Sequence, residues 1–142
     1  MLPLRLTILG KPEPAGSKRA FVINGKAVVT DANKKSKPWQ QEVKAVAVEH
    51  ATELAEGPLR LDVTFFLQRP KGHYGSGRNG HLLKASAPEY PMVKPDATKL
   101  LRGVEDALTG IVWKDDAQIV TQNVCKRYGL PERAVIVVSP AN

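Results

Sequence analysis

Leu61, Val63, Phe65 and Leu67 alternate with Asp62, Thr64, Phe66 and Gln68, the period-two pattern of a strand packed on one face, and Arg69-Pro70 ends the run. Leu4, Leu6 and Ile8 set against Arg5, Thr7 and Leu9 repeat the pattern and predict a strand over residues 2 to 9, closed by Gly10. A sheet with one apolar face has to bury that face under another layer. Two segments have the helical spacing to supply it. The first takes Ser36 as N-cap and Pro38 in its first turn. Trp39, Val43, Val46, His50 and Leu54 then recur every three or four residues until Gly57-Pro58 stops the helix, about five turns. The second runs from Ala97 to Thr109, with Leu100, Leu101, Val104 and Leu108 inward and Gly110 just past its end.

Phe21 to Ile23 and Lys26 to Thr30 flank Asn24-Gly25, a pair that readily takes the positive φ angles of a type I′ turn. A hairpin is therefore expected after a Pro/Gly loop over Lys11 to Arg19. Two closing strands are expected near Gln118 to Arg127 and Arg133 to Ser139. The order strand, hairpin, helix, strand, helix, two strands implies an α+β fold: a mixed sheet of about four to six strands with two main helices packed on it. With 142 residues the chain has material for one core rather than two, so residues 1 to 142 read as a single domain.

Residues 69 to 94 fit no period. They are rich in Gly, Pro and Ser, and Lys71, His73, Arg78, His81, Lys84 and Lys94 face a single acid, Glu89. A loop of this length is uncommon in a compact domain and usually binds something or is disordered, so it reads as a flexible basic loop. The formal net charge of +7 points the same way, because clustered Lys and Arg gain affinity from phosphates by releasing condensed counterions. Lys18, Arg19, Lys71, His73, Arg78, Lys84 and Lys94 are the candidate DNA contacts, and Tyr74 and Tyr90 are candidates to stack on bases. His73 and His81 lie eight apart, which is no recognised metal spacing. His50 reads as a helix-flank residue. Cys125, the one cysteine, has no disulfide or metal partner and reads as a sheet residue. The start MLPLRLTILG lacks the pattern of a signal peptide, and no apolar run approaches the roughly 20 residues that span a bilayer. A cytoplasmic location with no membrane role is the expectation.

Against this basic background, acids concentrate around the second helix. Asp96 lies just before it, and Asp115-Asp116 follow the turn that leaves it. Phosphodiester hydrolysis needs such groups: carboxylates hold Mg²⁺, which neutralises the phosphate and lowers the pKa of an attacking water. Mg²⁺ keeps several waters, so two or three carboxylates suffice. The acids meet only if the connection from Gly110 to Trp113 folds back. Each also has a plainer role, Asp96 as a helix cap and Asp115-Asp116 as a turn.

The segment KPDATKLLRGVEDALTGIVWKDDAQIV, residues 94 to 120, resembles the RusA family of Holliday junction resolvases. The likeness lies in a PD-x-D-N-L-type helix start, a D-A-L-x-G helix end and a D-D-x-Q run into a strand. HYGSGRNG and SAPEYP, residues 73 to 80 and 86 to 91, are similar to the loop of phage-borne members, and KPEPAGSKR to the family's basic N-terminal loop. The resemblance implies a homodimeric, Mg²⁺-dependent endodeoxyribonuclease, with Mn²⁺ able to substitute. Such an enzyme binds branched DNA, four-way junctions above all, and resolves them by paired symmetric nicks during recombination, repair or phage DNA processing in a bacterial host. By position, Asp96 matches the family's first metal-binding aspartate and Asp116 its last, with Asp115 beside it. Arg102 stands where the family has a catalytically important lysine. The sequence departs from the pattern at Thr98, where a second aspartate is usual, and at Lys99, where asparagine is common. Thr98, Arg102 and Glu105 share a helical face, and Asp106 sits four residues from Arg102, so Glu105 is the candidate for the missing carboxylate.

Three functions compete: an active structure-selective nuclease, a junction-binding protein whose degenerate site does not cut, and a basic structural protein. Asp96 and Asp115-Asp116 favour the first over the second, because acids weaken a DNA-binding surface that has no catalytic use for them. The basic loop and the acidic centre together favour both over the third.

Overall fold

In the computed structural model, which describes residues 2–16, 18–31 and 33–141, the side chains of residues 18, 19 and 29–31 are left undescribed. The elements run β1 (Leu4–Leu9), β2 (Lys18–Ile23), β3 (Lys26–Asp31), α1 (Ser36–His50), β4 (Leu59–Leu67), α2 (Ala97–Leu108), β5 (Ile119–Tyr128) and β6 (Arg133–Pro140). Four strands make one mixed sheet in the order β1-β6-β4-β5, with β4 and β5 parallel and the other neighbours antiparallel. The fold is α+β, as expected. The alternating residues do what their period demands: Leu6, Ile8, Leu61, Val63, Phe65, Ile136 and Val138 are buried on one face. Trp39 and Val43 of α1 and Leu100, Val104 and Leu108 of α2 close over that face in one cluster with Trp113. Burying each such side chain contributes about 2 kcal/mol.

The hairpin of β2 and β3 forms its own two-stranded sheet, apart from the main one. Its turn is the expected type, with φ of +51° at Asn24 and +77° at Gly25. The loop before it is shorter than expected, since β2 already begins at Lys18.

Two other expectations need correction. Lys35, not Ser36, occupies the cap position of α1, and the helix ends at His50 after 15 residues, about four turns rather than five. Leu54 lies outside it and is 43% exposed. The cause is tertiary: the Ala55 N–H donates to the Val112 carbonyl at 2.7 Å and Ala55 bridges Trp113, so the chain after His50 is extended to meet the segment leaving α2. The basic loop also has internal order that no side-chain period reveals. Two 3₁₀ turns, Lys71–His73 and Gly77–Asn79, flank a small bridge in which Gly75 N donates to Leu82 O and Lys84 N to His73 O, each at 2.9 Å. Arg69 ties the loop to the sheet by donating to the Pro88 carbonyl at 2.7 Å and lying 4.4 Å over the Tyr128 ring. Among the described residues, no helix is long and apolar enough to cross a membrane.

Candidate functional site

Helix α2 carries chemistry at both ends, and the two ends differ. At its start, Asp96 holds the cap position but makes no capping hydrogen bond, so its carboxylate is not spent on the helix. Two tertiary tethers fix this corner. Lys126 of β5 donates to the Val93 and Pro95 carbonyls at 2.8 Å each, pinning the end of the basic loop to the sheet edge. From the other side, Ala15 N donates to Lys99 O at 3.0 Å, and Asn33 Nδ2 holds the Pro14 carbonyl at 2.9 Å. Gly103 faces this approach: a β-carbon there would sit in ordinary contact with the Glu13 carbonyl oxygen at 3.4 Å, leaving no room for a larger side chain.

Between these walls lies an open pocket of about 310 Å³, lined by Lys11, Glu13, Asn33, Lys94, Asp96 and Lys99 together with three prolines. It sets three lysines beside two carboxylates. The open first turn of α2 adds unpaired backbone N–H groups and the positive end of the helix dipole, which favour an anion such as phosphate.

At the far end two of the acids, Asp115 and Glu105, are occupied by hydrogen bonds. Asp115 accepts from Ala117 N at 2.9 Å, and Gln118 returns the capping box by accepting from Lys114 N and Asp115 N, so the plainer turn-forming role holds for Asp115. Glu105 accepts from Gln122 Nε2 at 2.8 Å. Burial raises the Glu105 pKa above the ordinary carboxylate value; the nearby charges of Asp116 and Asp106 push the same way, and the Gln122 hydrogen bond opposes them. Asp116 thus lies near Glu105.

Two rulers agree on the separation. Nine residues of helix from Asp96 to Glu105 rise about 13 Å. The strand from Lys126, which touches Pro95, back to Gln122, which touches Glu105, covers about 13 Å as well. The connection after α2 does fold back, with Gly110 N donating to Trp113 O at 2.7 Å and Trp113 Nε1 to Thr109 Oγ1 at 3.1 Å, but it turns onto the end of α2. The fold thus sets Asp96 and Glu105 about 13 Å apart along α2. Among the described residues, no three His, Cys, Asp or Glu side chains are assembled to hold a metal.

The remaining expected residues scatter. Arg102 is exposed on α2, Lys71, Arg78 and Lys84 are exposed on the basic loop, and Lys94 joins Asp96 at the pocket. His73 is half-buried, 3.2 Å from Arg69 and edge-on to Tyr128. Tyr90 is exposed, with Arg127 5.6 Å from its ring centre. Lys18 and Arg19 begin β2, and their side chains lie outside the described residues. Lys11, Glu13, Asn33 and Lys99 were missed as site residues; the signals were the KPEPAGSKR segment, which holds Lys11 and Glu13, and Gly103, a glycine in mid-helix on the buried side.

Residues 11–139 match the family described as Endodeoxyribonuclease RusA. The chain belongs to the RusA family. The match begins at Lys11, the first residue of the pocket wall, and runs into β6, so it spans both ends of α2. This RusA-family chain is also 32% identical over 136 residues to the uncharacterized protein YqaN of Bacillus subtilis (strain 168), covering 95% of this chain and 94% of that protein.

Proposed function

We propose that this protein is a Mg²⁺-dependent, structure-selective endodeoxyribonuclease that acts as a homodimer and resolves four-way DNA junctions by paired symmetric nicks. One observation carries the reading: a carboxylate left free by its own helix, Asp96, lines a pocket with three lysines at an open helix start. A basic pocket without an acid would only bind phosphate, and an acid without the lysines would repel it.

The donor set fits the ion in number. Mg²⁺ is commonly held by one or two carboxylates, with water and substrate oxygens filling the rest, so Asp96 and Glu13 would hold it here. When bound, it supplies Lewis-acid chemistry, lowering the pKa of a coordinated water and stabilising the leaving oxygen. Lys11, Lys94 and Lys99 neutralise the scissile phosphate, and the N–H groups of the first turn of α2 orient it. Arg102, one turn further along the exposed side, keeps a fixed positive charge toward the same strand. Asp115 and Asp116, the other acids that the family resemblance points to, lie with Glu105 at the far end of α2, and Glu105, about 13 Å along the helix from Asp96, would serve a different phosphate or ion. Two copies of one pocket suit a junction with near-twofold symmetry. Action during recombination, repair or phage DNA processing in a bacterial cytoplasm follows from the same family resemblance.

The test is cleavage of a labelled mobile four-way junction and a matched linear duplex by the purified protein, with Mg²⁺, Mn²⁺ or EDTA. Symmetric nicks confined to the junction and abolished by EDTA are expected. Tight junction binding without nicks in either metal would instead make the protein a junction binder in which Thr98 marks a lost activity.

A further inference from the structure

The helices cover only one face of the main sheet. On the other, the strand register brings four arginines to one surface: Arg5 of β1, Arg133 of β6, Arg60 of β4 and Arg127 of β5. Asp62 is the only acid on that face among the described residues, and Arg60 takes it in a paired hydrogen bond, Nε at 2.8 Å and the outer nitrogen at 3.0 Å. Arg5, Arg127 and Arg133 are left with no carboxylate partner among the described residues.

Their surroundings preorganise them without neutralising them. Arg133 lies flat over Phe66 at 3.8 Å, and Arg127 stands 5.6 Å from the Tyr90 ring. Between Arg5 and Arg133 runs a shallow open trough of about 340 Å³ whose floor includes Thr7 and Thr64, hydroxyls able to donate to phosphate. From β1 to β5 is three strand steps, about 14 Å at the usual spacing, close to the roughly 12 Å width of a DNA major groove.

We infer that this arginine-bearing sheet face is a second DNA-binding surface, which holds the backbone of a junction arm other than the one at the Asp96 pocket. The inference rests on the junction-nuclease reading above. Charge decides the occupant. A second copy of this chain docking here about a twofold axis would set the unpaired arginines against themselves, whereas two phosphate ridges meet them with opposite charge. Two basic surfaces on opposite sides of one sheet also give branched DNA an advantage that a straight duplex, filling one surface at a time, lacks.

The experiment is fluorescence anisotropy of the full-length protein with an immobile four-way junction and with a linear duplex, in EDTA, from 50 to 200 mM salt. The wild type is compared with Arg5→Gln/Arg127→Gln, whose side chains are exposed, and with Arg5→Lys/Arg127→Lys. For the glutamine pair, junction affinity is expected to fall about tenfold, and the slope of log affinity against log salt to shrink by about 1.8, at 0.9 per lost phosphate contact. Linear-duplex affinity is expected to change less than twofold, and the lysine pair to restore junction binding. An unchanged thermal melt of the glutamine pair shows that folding is intact. A wild type that prefers junctions while the glutamine pair keeps that preference overturns the surface alone. A wild type with no junction preference overturns the junction reading and this proposal with it. Equal losses on both DNAs, or a glutamine pair that changes oligomeric state by sedimentation, would also overturn it, the latter assigning the face to a second copy.

Discussion

At its start, α2 offers the Asp96 carboxylate, spent on no cap, to a pocket shared with Lys11, Lys94 and Lys99; at its end, Glu105 has the charges of Asp106 and Asp116 nearby and is held by Gln122, while Asp115 is held in a capping box. The first arrangement places a carboxylate where cations and phosphates are welcome. The second places Glu105 where burial and the charges of its neighbours are opposed by a local hydrogen bond. The contrast teaches that acid count near a helix says little about metal chemistry until the neighbours of each acid are known.

The sharpest way to break this comparison is to neutralise one acid at each end. Asp96→Asn should lower junction cleavage by several kcal/mol of transition-state stabilisation, on the order of a hundredfold or more, with junction binding in EDTA retained. Asp116→Asn should lower it by less. Single-turnover cleavage rates for the two variants decide the matter: equal losses would mean that both ends serve one reaction, and an active Asp96→Asn would remove the pocket from it.

A smaller effect tests how the pocket is built. Gly103→Leu would drive a side chain into the Glu13–Ala15 backbone, separate the N-terminal loop from α2, and destabilise the protein by about 1–3 kcal/mol in urea unfolding. Gly103→Ala should be tolerated, since its β-carbon meets the Glu13 oxygen at 3.4 Å and alanine improves helix propensity by up to about 1 kcal/mol. A leucine variant as stable as wild type would show that the loop is not held against the helix.

Much of the frame was legible in the sequence because it depends on local period. Leu61 to Leu67 alternate and form β4; Asn24-Gly25 takes positive φ and turns the hairpin; Leu100, Leu101, Val104 and Leu108 recur and bury α2. The end of α1 was not legible because Ala55 is drawn out of the helix by Val112, a partner remote in sequence. The site was legible only in part for the same reason. Asp96 and Lys94 are two residues apart in the chain, but Lys11 and Glu13 reach them through the Ala15–Lys99 hydrogen bond, which nothing in the spacing of residues announces. Asp116 follows α2 closely in sequence, and what its position there does not announce is that it comes near Glu105, about 13 Å along α2 from Asp96.

The smallest expected effect separates the two ends by pH. Burial, with Asp116 and Asp106 nearby, raises the folded-state pKa of Glu105 above its ordinary value of 4.5. In the window between those two values the folded protein binds more protons than the unfolded chain, so stability falls as pH rises through the window and stays reduced above it. Glu105→Gln removes the penalty. Near pH 7 the variant should be more stable than wild type by about 0.5 kcal/mol or less, because a partly exposed group is screened by solvent. Near pH 3.5, where Glu105 is protonated in both states, the two should melt together. Paired thermal melts at the two pH values give the answer. A variant that is less stable than wild type near pH 7 would mean that the ionised Glu105–Gln122 hydrogen bond outweighs burial, and the far end of α2 would then be an acid site held charged.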